Sequence, residues 1–181
     1  MSKVQRVAIV ANPIAGLGRG RSTARRAGLA LQSAGIDVLN IQDLRLASRD
    51  QLAAAQAIVA IGGDGTLRAV ASRCLELLGS IPPLLPVPMG TANLMGRYLH
   101  INWSATEVVE KIVQSLVRAS VSMLDAAEAN GQLFFLMAGV GIDAQIVHEL
   151  DRIRQGPINY ASYIFPAAMA VTNFRSHNLH V

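Results

Sequence analysis

Along the first two thirds of the chain, short continuous apolar runs alternate with longer stretches in which apolar residues recur every three or four positions. The runs are VQRVAIVAN from Val4, IDVLNI from Ile36, AIVAI from Ala57 and LLPV from Leu84. Their length and β-branched content predict buried strands. The stretches between them are STARRAGLALQSAG, SRDQLAAAQ, TLRAVASRCLELLG and SATEVVEKIVQSLVRA. Their periodicity predicts helices, and their ends carry fitting signals. Ser22, Ser48 or Asp50, and Ser104 can cap the starts, with Glu107 placed to complete a capping box with Ser104. Gly35 and Gly79 stand where helices would stop. Strands alternating with helices of this length predict βαβ units, hence an α/β domain built on a parallel sheet.

The pattern changes near Ala119. The stretch SVSMLDAAEANGQLFFLMAGVGIDA predicts two strands joined by a turn at Asn130-Gly131. AQIVHELDRIR and NYASYIFPAAMAVTNF then read as helices, the second interrupted by Pro166, and HNLHV as the opening of a further strand. Residues 1–118 are therefore expected to form one α/β domain. Residues 119–181 are expected to be the start of a second, β-rich domain that is incomplete.

Composition narrows the function classes. Half of the residues are hydrophobic and few are aromatic, so burial rests on Ala, Val, Leu and Ile. No apolar stretch is long enough to span a bilayer, and the N-terminus shows no signal-peptide pattern. The single cysteine, Cys74, excludes an internal disulfide, suits a reducing compartment and reads as a small apolar residue on a helix face. A cytoplasmic location is expected. The formal charge is +4, and arginines cluster at Arg19, Arg21, Arg25 and Arg26 and again at Arg152 and Arg154. A solvated face is the plain explanation; an anionic partner such as a nucleotide, a lipid headgroup or a membrane surface is the sharper one. Nucleic acid is disfavoured, because stacking aromatics are not interleaved with the arginines. His100, His148, His177 and His180 are scattered, without zinc spacing, and read as surface residues.

The candidate chemistry lies where strands end. Three glycine-rich loops, NPIAGLGRG, GGDGT and PMGTAN, each follow a predicted strand. In open parallel sheets, ligands bind beyond the carboxyl ends of the strands. Glycines let backbone N–H groups converge on a phosphate, and a following helix adds its positive end. Asp64 is the anomaly, since a bare carboxylate repels phosphate. It fits if a magnesium ion sits between them, or if Asp64 takes or orients a proton. In a plain turn, Asp64 would be a cap and Thr66 would bond to backbone. Thr91 and Asn93 can donate to phosphate or cap the short helix NLMGRYL. Two other phosphate motifs fail. AGLGRGRS has Ala15 and Arg21 where a P-loop has its first glycine and its lysine, and Arg21 also occupies the last glycine position of a dinucleotide fingerprint.

NPIAG at Asn12–Gly16, GGDGT at Gly62–Thr66, PMGTAN at Pro88–Asn93 with Arg97, and FFLMAGVGIDAQIV at Phe134–Val147 occur in the order found in the diacylglycerol kinase catalytic family. The chain resembles its bacterial members, which are related to sphingosine and ceramide kinases. The resemblance implies a nucleotide-binding α/β domain, a β-sandwich-like second domain, and magnesium-dependent phosphoryl transfer from ATP to a lipid hydroxyl. It implies that Asn12 and Gly16 line the nucleotide site, that Gly62, Gly63, Asp64, Gly65 and Thr66 hold phosphates, and that Gly90, Thr91 and Asn93 complete the pocket. Asp143 matches a position that faces the lipid acceptor in sphingosine kinases. Arg68, Ala69 and Ser72 replace the Asn-Glu pair and later Asn usual after GGDGT, and Leu94 replaces a frequent Asp. Family members continue past this C-terminus, and in bacterial ones a carboxylate proton acceptor comes from that part.

The resemblance thus implies a diacylglycerol-like lipid as partner, met by peripheral contact at the inner membrane surface. A homodimer would cover the open edge of the second domain. Two other functions share these features: an NAD kinase, which has GGDGT but a different third motif, and a nucleotide-binding module without catalysis.

Overall fold

The computed structural model describes residues 4–152. The chain divides into two compact units, Met1–Leu136 and Met137–Val181. In the first, a parallel sheet contains β1 (Arg6–Ala11), β2 (Asp37–Ile41), β3 (Ala57–Gly62) and β4 (Leu84–Pro88), in the spatial order β2-β1-β3-β4. The register pairs Val7 with Val38 and with Ala57, and Val59 with Leu85. The α/β class and the parallel sheet are as the apolar runs predict. Every residue of β3 is buried, as a strand covered on both faces must be.

Two cores result, one per face of the sheet. Val7, Ile9, Val59, Ile61 and Val87 pack against α2 (Gly20–Ser33) and α6 (Val108–Arg118), with Leu31 and Ile112 fully buried. On the opposite face Ala8, Val10, Ile58 and Ala60 meet α3 (Arg49–Ala53), α4 (Asp64–Leu78) and Met95 of α5 (Leu94–Tyr98). Cys74 lies in this second core, where burial pushes its thiol up to about 11. It is the small apolar residue that its place in the pattern suggests.

Helix ends follow the sequence signals in most places. Ser48 and Gln51 form a reciprocal capping box at α3, and Gly79 closes α4 at φ 70°. Ser104 and Glu107 form the expected capping box one turn ahead of α6. The start of α2 differs. It begins at Gly20 rather than after Ser22, whose hydroxyl instead donates to the carbonyl of Arg19. A Cβ on Gly20 would lie 2.1 Å from the carbonyl oxygen of Asn12, so only glycine lets the helix begin this close to β1.

Beyond α6, Asn130 and Gly131 turn the chain at φ 51° and 73°, which joins β5 (Ala127–Ala129) to β6 (Gln132–Phe134) as an antiparallel hairpin. The turn is the one its dipeptide predicts. The strands are shorter than expected, three residues each, and β6 packs on α4 with Leu133 buried. In the second unit α7 spans Ile142–Arg152. The helix expected from Asn159 and the strand expected from His177 lie outside the described residues. Among the described residues, no helix is long and apolar enough to cross a membrane.

Candidate functional site

From β1 the chain passes to β2 on one side and then returns to β3 on the other. The carboxyl ends of β1 and β3 thus flank the point where the strand order reverses, the usual crevice of such sheets. All three glycine-rich loops leave the sheet on this side.

Backbone bonds tie the loops together. The N–H of Asn12 donates to the carbonyl of Ile61 at 2.9 Å, that of Met89 to Gly62 at 2.7 Å, and that of Gly16 to Met89 at 2.7 Å. Each loop is thereby bonded to a neighbour. Asn12 shapes its own turn by accepting the N–H of Ile14 at 3.1 Å. Gly16 then takes φ 59° in the kinked single turn α1 (Ala15–Gly18), and a Cβ there would meet the end of the Met89 side chain.

The second and third loops touch backbone to backbone. A Cβ on Gly63 would lie 3.1 Å from the Gly90 Cα, and one on Gly90 would lie 2.6 Å from the Gly63 Cα. Gly62 is covered by the Thr66 side chain, whose Oγ1 would be 2.3 Å from a Cβ at that position. These glycines are required by close loop packing. Gly65 is different: a Cβ there would meet nothing within 4 Å. It lies in the first turn of α4, where the N–H groups of Asp64 and Gly65 precede any intrahelical acceptor. Open space beside unpaired donors and a helix N-terminus is a setting that suits an anion.

The polar side chains are largely committed to the scaffold. Asn93 sits in the left-handed region at φ 48°; its Oδ1 accepts the Gly90 N–H at 2.8 Å and its Nδ2 donates to the Gly90 carbonyl at 2.7 Å. It therefore pins the third loop rather than capping α5. That cap comes from Asp64. Its Oδ2 accepts the N–H of Leu94 and its Oδ1 that of Met95, both at 2.9 Å. A negative charge at the start of a helix is stabilising, and here it also joins two loops. Because the contact is to backbone N–H groups, it does not depend on the side chain at position 94, proline excepted. A small cavity bordered by Asp64, Pro86, Asn93 and Gly96 lies beneath the clamp, large enough for about one water.

Asn12, Gly16, Gly62, Gly63, Asp64, Gly65, Thr66, Gly90, Thr91 and Asn93 thus fall on one connected rim. Asp143 stands apart in the chain, as the second residue of α7 in the other unit. Asp64 is the only carboxylate on the three loops, and both its oxygens hold N–H groups. Among the described residues, no cluster of three or more His, Cys, Asp or Glu is placed to hold a metal ion. A magnesium ion here would find one carboxylate, Asp64, already committed to two backbone N–H groups, and would draw its remaining ligands from phosphate oxygens and water. The role that sequence reasoning missed is that of Asp64 as cross-loop cap.

Residues 6–125 match the diacylglycerol kinase catalytic domain family. A Pseudomonas fluorescens protein named "Probable lipid kinase YegS-like" is 31% identical over 121 residues, covering 67% of this chain and 38% of that one. An uncharacterized Synechocystis protein is 33% identical over 108 residues, covering 60% of this chain and 23% of that one. The chain therefore spans well under half the length of these relatives. Among solved structures, a diacylglycerol kinase from Bacillus anthracis superposes with a TM-score of 0.58 at 24% identity, covering 74% of this chain and 47% of that one, which shows a shared fold. The matched residues run from β1 through α6 and contain all three loops. The chain belongs to the diacylglycerol kinase catalytic domain family.

Proposed function

We propose that this chain supplies the nucleotide-binding part of an ATP-dependent lipid kinase with a diacylglycerol-like acceptor. The observation that carries the reading is the rim itself: three loops cross-tied by backbone bonds around an uncovered α4 N-terminus at Gly65. Phosphoryl transfer depends mainly on positioning and electrostatic stabilisation, and a rigid set of backbone donors provides both. In the reaction proposed, the lipid hydroxyl oxygen bonds to the γ-phosphorus, the bond from that phosphorus to the β–γ bridging oxygen breaks, and ADP leaves. The hydroxyl proton passes to a base that the described residues do not identify. Magnesium, held chiefly by the phosphates, would offset their charge. Asp64 acts on this site by holding the α5 loop against the α4 loop.

The test pairs ATP calorimetry with phosphate transfer from labelled ATP to diacylglycerol in mixed micelles. ATP binding that is lost in Gly65→Asp, together with label in the lipid, is the expected result. Equal ATP affinity in wild type and Gly65→Asp would refute the placement of the phosphates. Label transferred to NAD but not to lipid would refute the acceptor.

A further inference from the structure

In the first two turns of α4 the only charged residues are Asp64 and Arg68. They stand four positions apart, a spacing at which an acid and a base on a helix normally pair. Here they do not. Both oxygens of Asp64 are turned to the N–H groups of Leu94 and Met95. Arg68 is exposed, and among the described residues its side chain forms no ion pair and no hydrogen bond. Several other arginines are committed. Arg73, further along the same helix, donates to the carbonyls of Arg45 and Ala47 and pairs with Glu76. Arg6 pairs with Asp37 and Arg45 with Asp43, while Arg19 donates to the Gly16 carbonyl. The cross-loop cap made by Asp64 thus leaves a free guanidinium on the helix that opens at the candidate site.

Side chains on a helix lean toward its N-terminus and cover the turn before their own Cα. For Arg68 that turn contains Gly65, three residues back and about 4.5 Å along the helix axis, within reach of an arginine side chain. The space beside Gly65 is empty: no atom, of Arg68 or any other side chain, lies within 4 Å of where a Cβ would stand. The unpaired N–H groups of the first turn adjoin it. Those groups carry only partial charges, whereas a polyphosphate carries several full ones. An arginine adds a full positive charge, and its planar fork holds two phosphate oxygens at once. We propose that Arg68 is a phosphate-binding residue of this site, its guanidinium folding back over Gly65 onto the phosphate chain of the nucleotide. The proposal rests on the nucleotide reading above and adds to it a charged group that the three loops do not supply.

The test is calorimetric titration of the chain with ATP, and separately with inorganic tripolyphosphate. Arg68→Gln should weaken both on the order of tenfold, by the same factor, because the lost contact is to phosphate and not to base or sugar. Arg68→Lys keeps the charge without the fork and should fall between. The salt dependence of ATP affinity should be shallower in Arg68→Gln. Arg118→Gln removes an equal charge from the exposed end of α6, which packs on the opposite face of the sheet from α4, and should bind ATP like wild type. The Arg68 side chain is exposed and unbonded, and an unchanged melting temperature without ligand confirms that its variants fold. Wild-type affinity in Arg68→Gln would overturn the proposal. So would a loss of ATP without a loss of tripolyphosphate, or an equal loss in Arg118→Gln, which would mark an effect of net charge alone. Gly65→Asp separates the two readings. If it loses ATP while Arg68→Gln does not, the assignment of Arg68 fails and the nucleotide site stands; if neither loses ATP, both fail.

Discussion

Asp64 holds two backbone N–H groups from a loop thirty residues away in sequence. Asp64→Ala would leave both donors to water and remove the charge from the α5 N-terminus. Because the site is only half-buried, we expect a loss of about 1–2 kcal/mol, or roughly 3–6 °C in melting temperature for a chain of this size. Asp64→Asn keeps one good acceptor and should lose about half as much; equal melting of all three proteins would show that the clamp has no weight. The glycines of the same rim divide sharply. Gly90→Ala must push the Gly63 backbone away and should cost about 1–3 kcal/mol. Gly65→Ala meets open space inside a helix and should stabilise by about 0.5–1 kcal/mol, a contrast that thermal melting reads directly. The sequence shows that glycines are needed here but not why each is. The clash at Gly90 involves a residue far along the chain, and so does the partner of Asp64; local spacing holds no trace of either.

At the scale of elements, the capping box ahead of α6 makes stability depend on pH in a definite sense. The Ser104 hydroxyl and backbone N–H bond to the Glu107 carboxylate and hold its pKa below the ordinary 4.5. A lowered pKa stabilises the fold above the unfolded value, and that contribution disappears as pH falls through the folded one. Wild type should therefore exceed Glu107→Gln in stability at neutral pH, with the gap closing progressively below about 4.5. Melting curves of the pair from neutral to acidic pH check this; a constant gap would mean that the carboxylate charge is irrelevant. Caps of this sort are legible because donor and acceptor lie three residues apart. The four sheet strands are legible because their runs are apolar throughout. The start of α2 was not, because Gly20 is placed by the carbonyl of Asn12 in the preceding turn rather than by its own helix. The hairpin turn is legible from Asn130-Gly131, but its strand lengths are not: among the described residues β5 and β6 pair only with each other, and a run of apolar residues does not reveal how far a partner extends.

In the first unit taken whole, core and site are separable, and that separation yields a discriminating measurement. Ile112 is fully buried between α6 and the sheet, in the core away from α4. Ile112→Ala should cost about 2–4 kcal/mol through lost burial and a residual cavity. The rim lies at the carboxyl ends of the strands, and none of its named residues belongs to that core, so it should stay intact in that variant. ATP at a hundredfold over its dissociation constant would stabilise the folded state by about 2.7 kcal/mol, a rise of roughly 5–10 °C. Ile112→Ala should therefore melt at a lower temperature yet show the full rise on adding nucleotide. Gly65→Asp should do the opposite, melting near wild type without ATP and gaining nothing from it, because its side chain has room but brings a negative charge to the α4 N-terminus where phosphate must approach. Scanning calorimetry of the three proteins with and without ATP reads all of this. A rise that survives in Gly65→Asp but vanishes in Ile112→Ala would place the nucleotide on the α6 side of the sheet, away from the loops.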